Sequence, residues 1–546
     1  MTNRFLSIHI VLLPFIYEYF DLGSSYQPVL YSSLSLWLLL FVESMREHTN
    51  FPLNILFYAI ILLFVQFVRS NIGKNIDAEQ VLYVTIWFPM LLLVATRNET
   101  EKKQLIYALL LSCFVQSGYS LLQWGHLLQP NNVLFPGSGS FFNPGPLAGY
   151  LSVGIVLSAE MFQNIRERNI LWGFLVIWSI ILTALIISQS RAAWFACLIG
   201  IGYMLANKLD QFKRMSPYVV TLLPILLGIL YYVRPLSANG RLLIWKICCL
   251  NMKDHWLFGY GADGFRQNYM MWQGEYFAQK TRSVKELLLA SDNGYVFNTF
   301  LHFVVNYGLV GTLFVLLLLY AILNTYYKSR IVGSILTLCI FSCFSYPESV
   351  LPLYLLFPFL FGLCMSPSKN KSKIHIFLPW LSSVSIILTT LLIYVNITSY
   401  HRLNQYYVSV SPRRANKVDS SSVLIFNNTR WNYTVADTNF KMGLYGKAVD
   451  YYWKSIQQNP LGKTFIKMGD CYCEESDWAN ALLCFKQAES MLPAYVTPVC
   501  RQFEIYRELG DYVHAKFYAE KLLTMPIKIE SQQVKQMKAA ASEFLQ

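Results

Sequence analysis

Residues 170–189 read ILWGFLVIWSIILTALIISQ, twenty residues without a single charge. As a helix rising about 1.5 Å per residue, such a run is about 30 Å long, the thickness of a bilayer's hydrocarbon core. It decides the fold class because it has company. Similar windows recur near residues 5–20, 28–43, 51–68, 79–96, 104–124, 144–162, 191–206, 217–233, 306–326, 331–346, 349–365 and 375–396, thirteen in all. Composition agrees, with 55% of the 546 residues apolar and 14% charged, against roughly 45–50% and 25% in soluble domains. Charge is spread unevenly, with 43 charged residues in 1–396 and 32 in the 150 residues that follow. The chain therefore reads as all-α: a polytopic membrane domain of about 12–13 spans at 1–396, a linker at 397–430, and a water-soluble helical tail at 431–546. An ordinary soluble enzyme is excluded.

Orientation follows from the basic residues of the short loops. With the N-terminus taken as cytoplasmic, the inner segments carry Arg4, Arg46, Arg97, Lys102, Lys103, Arg166, Arg168, Lys208, Lys213, Arg214, Lys328, Arg330, Lys369, Lys371 and Lys373. The outer short loops carry only Arg69, Lys74 and Arg191. This bias places the long loop 234–297 and the tail together on the non-cytoplasmic side. It also accounts for most of the net charge of +13 without nucleic acid.

The tail repeats. Tyr445, Trp478 and Tyr512 are 33 and 34 residues apart, Ala448, Ala481 and Ala515 keep the same spacing, and Pro460, Pro493 and Pro526 recur every 33. An aromatic, an alanine three residues on and a proline after a second helix resemble tetratricopeptide repeats, helix pairs stacked into an α-solenoid that binds a protein or peptide partner. Cys471, Cys473, Cys484 and Cys500 lie in this tail, where an oxidising compartment permits pairing; the spacing does not say which.

Three stretches interrupt the apolar monotony. Residues 139–150, Gly139 through Tyr150, are rich in Gly and Pro; their plain structural reading is a tight loop and a close helix crossing through Gly145 and Gly149. Ser188-Gln189-Ser190-Arg191-Ala192-Ala193-Trp194 forms a very short connection holding a lone basic residue. An arginine there either snorkels to the interface or faces inward as a functional cation, and its polar and small neighbours favour the second. The third stretch is the long loop. Asn239-Gly240-Arg241 opens a helical run, and a glycine-rich turn follows with Gly259, Gly261 and Gly264. The loop closes on Asp292-Asn293-Gly294-Tyr295-Val296-Phe297-Asn298 and leads into Asn306-Tyr307-Gly308-Leu309-Val310-Gly311. Two arginines approaching one membrane face make a clamp suited to a diphosphate, which guanidinium groups bind through charge-assisted bidentate bonds.

The order of Ser-Arg-Ala at a span junction, Gly-Arg opening the loop, Gly-Tyr-Gly-x-x-Gly-Phe, and Asn-x-Phe-Leu followed by Tyr-Gly-Leu-Val-Gly resembles the O-antigen ligase superfamily over roughly residues 135–350. That superfamily includes O-antigen ligases, polysaccharide polymerases and protein O-oligosaccharyltransferases. The resemblance implies a glycosyltransferase-C-like membrane fold in the bacterial inner membrane. It also implies inverting transfer without metal or cofactor, from a glycan on undecaprenyl diphosphate to a hydroxyl on lipid A-core, glycan or protein. Arg191 and Arg241 match the family's diphosphate-binding cations; Gly259, Gly261 and Gly264 match its loop-shaping turn; Asn298 matches the Asn after its characteristic His. That His is absent here, since no histidine lies between Trp256 and Leu301. A base must reach the acceptor proton, and Phe297 cannot take it. Asp292, Glu275, His302 and His255 are the substitutes, in that order; His302 also reads as a helix-surface residue and Asp292 as a turn residue. Two other functions compete: a lipid-linked glycan flippase, disfavoured by spans nearly free of charge, and a non-catalytic scaffold built on the tail.

Overall fold

A chain can cross a bilayer only if its amides find partners within the protein, and helices provide this locally. The computed structural model describes residues 1–19, 26–46, 78–132, 135–159, 167–206, 228, 232, 235–261, 263–279, 282–325, 329, 331–365, 374–408 and 429–546. Among the described residues there are helices and no strand. In chain order they are α1 (Thr2–Tyr19), α2 (Tyr26–Ser44), α3 (Ala78–Ala95), α4 (Glu99–Trp124), α5 (Pro144–Ala159), α6 (Arg168–Ile187) and α7 (Arg191–Ala206). Next come α8 (Pro235–Asn251), α9 (Gly264–Ala278) and α10 (Val284–Leu289), then α11 (Thr299–Thr325), α12 (Val332–Ser342), α13 (Leu351–Cys364) and α14 (Ile374–Val408). The tail holds α15 (Thr429–Lys441), α16 (Tyr445–Gln458), α17 (Gly462–Glu474), α18 (Trp478–Met491), α19 (Val496–Glu508), α20 (Tyr512–Thr524) and α21 (Gln532–Leu545).

Helices α1–α7 and α11–α14 fall on eleven of the thirteen expected windows. The window at 51–68, and nearly all of 217–233, lie outside the described residues. Four helices, Glu99–Trp124, Arg168–Ile187, Thr299–Leu317 and Phe377–Val395, are long and apolar enough to cross a membrane; seven more are shorter and apolar. Helix α14 continues past the expected end at 396, since no glycine or proline follows until Pro412. The chain divides into two compact units. One comprises Met1–Tyr232, Phe297–Phe303 and Val310–Thr398; the other comprises Val233–Val296, Val304–Leu309 and Ser399–Gln546.

In the first unit α5 is buried on every face from Pro146 to Ser158, between α4, α6, α7 and α12. Hydrophobicity all round a helix calls for that central position. Gly149 makes it possible, since a Cβ there would come within 2.4 Å of the Phe341 ring on α12. The close crossing expected from the Gly/Pro stretch is thus real at Gly149. Polar side chains of α4 hold the loop before α5: Gln116 Oε1 accepts the Ser140 N–H at 2.9 Å, and Gln123 accepts that of Ser138 at 3.1 Å while donating to the Gly139 carbonyl at 3.1 Å. Helix α6 differs, burying only Ile181, Ala184 and Leu185, as a helix facing lipid would.

Charge enters this unit as a pair. Arg97 is 2% exposed and Glu43 4%; the Arg97 guanidinium meets the carboxylate at 3.0 Å, and the Thr2 hydroxyl donates to it at 2.5 Å. Lys102, also buried, donates to the Met365 carbonyl just beyond α13. A buried ion deprived of its partner is strongly penalised, whereas a pair replaced as a whole is not.

In the second unit the tail helices pack as successive helix–turn–helix pairs, α15 with α16, α17 with α18 and α19 with α20, and α21 closes on α20. Tyr445, Trp478 and Tyr512 are the first residues of α16, α18 and α20, while Ala448, Ala481 and Ala515 are fully buried where neighbouring helices approach closely. Asp477 and Asp511 cap their helices by accepting the Asn480 and His514 N–H groups at 3.2 and 3.1 Å. The four tail cysteines are unpaired thiols, and burial pushes those of Cys471, Cys484 and Cys500 up to about 12.

Arg97→Met should lower stability by roughly 3 kcal/mol by removing the closer and more buried of Glu43's two cations, leaving Arg46 at 3.4 Å, and the double variant Glu43→Leu/Arg97→Met should recover much of that loss. Thermal unfolding of the purified protein in detergent reads both; equal losses in the single and double variants would contradict the pairing.

Candidate active site

The glycine-rich turn of the long loop packs backbone to backbone against the start of the motif Asn306 to Gly311, within the second unit. Tyr260 and Gly261 donate their N–H groups to the carbonyls of Val305 and Asn306, both at 2.9 Å, and Leu309 returns one to the Trp256 carbonyl at 2.9 Å. Three residues take positive φ for this: Gly259 at 70°, Gly261 at 99° and Gly308 at 64°. A Cβ on Gly308 would fall 2.2 Å from the Leu257 carbonyl oxygen, and one on Gly259 would fall 2.6 Å from the Asn306 carbonyl. Only glycine meets both demands, of conformation and of space. Gly308 also interrupts α11, where helical geometry breaks at φ 64°, ψ −173°. The fully buried Asn306 completes the lock, its Oδ1 accepting the Phe265 N–H at 3.0 Å where Gly264 starts α9.

Helix α9 then packs against α18 of the tail. Gln273, fully buried, donates to the Met491 carbonyl at 2.7 Å and to that of Ser291 at 3.2 Å, while its Oε1 accepts the Tyr269 hydroxyl at 2.9 Å. Asp292, the leading base candidate, lies beside this contact. Its carboxylate accepts the Gly462 N–H at 2.8 Å and the Lys463 N–H at 3.3 Å, at the start of α17. Burial pushes this carboxyl above its ordinary value, against the lowering pull of those two N–H groups and of the Lys463 charge. Glu275 is exposed on α9. The His255 ring lies tilted against that of Tyr260, centroids 4.2 Å apart, beside the glycine turn. Arg241 is half-buried on α8, a helix anchored by the Trp245 indole donating to the Val296 carbonyl at 2.9 Å.

In the first unit Arg191 is the first residue of α7. The α6–α7 turn is tight: Gln189 has φ 52°, the Ser188 hydroxyl donates to the Leu185 carbonyl at 2.6 Å, and the Trp194 indole reaches the same carbonyl at 2.8 Å. One turn into α7, Phe195 meets Phe344 edge to face at 6.1 Å. That contact brings the Arg191 end of α7 to the end of α12 that leads into the turn Pro347–Ser349. The start of α11 meets the same turn. Asn298 caps α11, its side chain accepting the Leu301 N–H at 3.0 Å; Phe297, at φ 56°, sets its ring edge to face with Tyr346 at 5.2 Å. His302 follows one turn later, its N–H bonded to the Asn298 carbonyl at 2.9 Å.

A further polar group stands here that was not among the sequence candidates. The Thr299 hydroxyl donates to the Glu348 carboxylate at 2.5 Å. A signal for it exists, since Glu348 is the sole acidic residue between Val310 and Thr398, and an isolated ionisable group in an apolar stretch marks function by default. The structure thus groups Asn298, Thr299, His302 and Glu348 with the Arg191 end of α7, and joins the glycine turn to Asn306. Arg191 belongs to the first unit and Arg241 to the second. Among the described residues no cluster of His, Cys, Asp or Glu is placed to hold a metal ion.

Apolar helices packed around a buried central helix define a multi-pass membrane protein of all-helical fold. Residues 174–316 match the family described as O-Antigen ligase, and the resemblance to the O-antigen ligase superfamily holds over that segment. The matched segment contains Arg191, Arg241, the three turn glycines, Glu275, Asp292, Asn298 and His302. The family implies glycosyltransferase chemistry of the O-antigen ligase or polymerase type. No curated protein matches the chain significantly.

Gly308→Ala should destabilise the protein by more than ~3 kcal/mol, because strain and a backbone collision coincide; an unchanged melting temperature would contradict the lock. Asp292 supplies a pH test. Its folded carboxyl holds its proton more tightly than the unfolded group at 3.8. The stability it contributes is therefore present below 3.8 and is lost as pH rises through the raised folded value. The stability advantage of wild type over Asp292→Asn should narrow between acid and neutral pH, read by amide exchange at Gly462 and Lys463; a widening advantage would contradict it.

Proposed function

We propose that the protein transfers a glycan from undecaprenyl diphosphate to an acceptor hydroxyl at the outer face of the bacterial inner membrane. The observation that carries this reading is the family match over residues 174–316, which spans both arginines and the glycine turn. Arg191 and Arg241 hold the donor's diphosphate, and their charge stabilises the negative charge developing on the leaving group, as preorganised cations do in a site shielded from water. The acceptor oxygen displaces the diphosphate directly, inverting the anomeric carbon, with no metal or cofactor required. The N-terminus is cytoplasmic, and the long loop and tail are external. The folding of loop and tail into one compact unit supports a common side for them.

The acceptor is lipid A-core or a growing glycan in the ligase and polymerase readings. One observation favours a protein acceptor instead, as in a protein O-oligosaccharyltransferase. The loop carrying Arg241 and the glycine turn is bonded to the tail through Gln273 and Asp292. A tail of tetratricopeptide-like repeats, whose buried alanines and helix-opening aromatics recur in register, would dock a polypeptide beside the loop.

Arg191→Ala and Arg241→Ala should each reduce glycan transfer by about 10²-fold or more while the protein remains inserted. Transfer is read by mass spectrometry of envelope lipid and protein in a strain carrying each variant in place of the wild type. Undiminished transfer in both would overturn the diphosphate clamp. Loss of glycan from lipid assigns the ligase, and loss from Ser, Thr or Tyr of envelope proteins assigns the oligosaccharyltransferase.

A further inference from the structure

We propose that Glu348 is the general base of this transfer, taking the proton of the acceptor hydroxyl; the inference rests on the transferase reading above. A base must be an ionisable group at the reacting end of the membrane unit with an oxygen or nitrogen that substrate can approach. Glu348 meets both conditions. It lies in the short turn Pro347–Ser349 between α12 and α13, partly exposed, and its Oε2 accepts the hydroxyl of Thr299 at 2.5 Å. Thr299 directly follows Asn298 and is 6% exposed, so it is fixed at the first turn of α11 and orients the carboxylate. Two aromatic contacts frame this corner: Phe297 on Tyr346, and Phe195 of the Arg191 helix on Phe344. The carboxylate thus stands at the end of the unit that also carries Arg191. The alternatives are placed less well. Asp292 belongs to the second unit, where it caps α17, and Glu275 projects from the exposed face of α9. No histidine precedes Asn298 in this part of the loop, and a carboxylate supplied by the α12–α13 turn fills the vacant role from another direction.

The acceptor O–H proton passes to the Glu348 carboxylate as the acceptor oxygen bonds to the anomeric carbon. The bond from that carbon to the diphosphate oxygen breaks, and its electron pair leaves with undecaprenyl diphosphate. Thr299 is a positioning residue: its hydroxyl holds the carboxylate and touches no substrate.

The test uses the full chain purified in lipid with undecaprenyl-diphosphate glycan as donor, measuring transfer rate and donor binding separately. Glu348→Gln keeps the shape and the bond to Thr299 but removes the basic group. It should cut kcat by about 10²–10⁴-fold with donor binding unchanged, and abolish the acid limb of the wild-type pH–rate profile. Thr299→Val should lower kcat more mildly and shift that limb without removing it, and Glu348→Asp should restore part of the rate. Transfer by Glu348→Gln within about threefold of wild type would overturn the base role alone. So would a wild-type profile with no acid limb, a readout that needs no variant, or a loss matched by an equal loss of donor binding. A wild type that transfers nothing overturns the base role together with the reading beneath it, whereas failure of Arg191→Ala beside an active Glu348→Gln leaves the transferase reading standing.

Discussion

The contact on which the second unit depends is a meeting of two main chains with no side chain between them. Gly259 and Gly308 each hold a left-handed conformation and each present a bare Cα to the other segment's carbonyl groups. Three amide bonds, between Tyr260 and Val305, Gly261 and Asn306, and Leu309 and Trp256, then close the junction. Such bonds leave few orphaned polar groups at a break in an otherwise continuous helix, where unsatisfied amides would be costly. Helix α9 starts from this junction and ends against the tail, with Gln273 bridging to the carbonyl that ends α18.

Polar side chains in the interior serve chiefly as backbone partners. Gln116 and Gln123 hold the loop before α5, Asn306 holds the start of α9, Gln273 holds α9 to the tail, and Asp292 caps α17. A buried amide or carboxylate bonded in this way specifies one arrangement of the elements it touches. The chemistry proposed for the protein falls on other residues: Arg191 at the start of α7, Arg241 within α8, and Glu348 in the turn before α13.

What the sequence makes legible follows from which constraint writes it. The bilayer demands apolar runs of fixed length, so helices α4, α6, α11 and α14 could be placed from hydropathy alone. Close packing at a constant interval demands small residues, so Ala448, Ala481 and Ala515 announced the helix pairs of the tail. The glycine turn was visible, but its partner was not. Main-chain docking between Gly261 and Asn306 leaves no complementary side-chain pattern for a reader to match across the intervening residues. Asp292 read as a turn residue or a base, because its bond to Gly462 joins segments 170 residues apart. Glu348 lies between two apolar windows, and its isolation among apolar residues is the one signal the sequence carries for it.

The proposed reaction moves a glycan from a lipid carrier to an acceptor. Its most direct test is reconstitution of the purified chain in sealed vesicles holding undecaprenyl-diphosphate glycan, with lipid, glycan and protein acceptors supplied outside. Transfer yields an acceptor whose mass increases by the glycan and a matching release of undecaprenyl diphosphate. Translocation of intact donor across the bilayer with no acceptor modified would contradict it and identify a flippase.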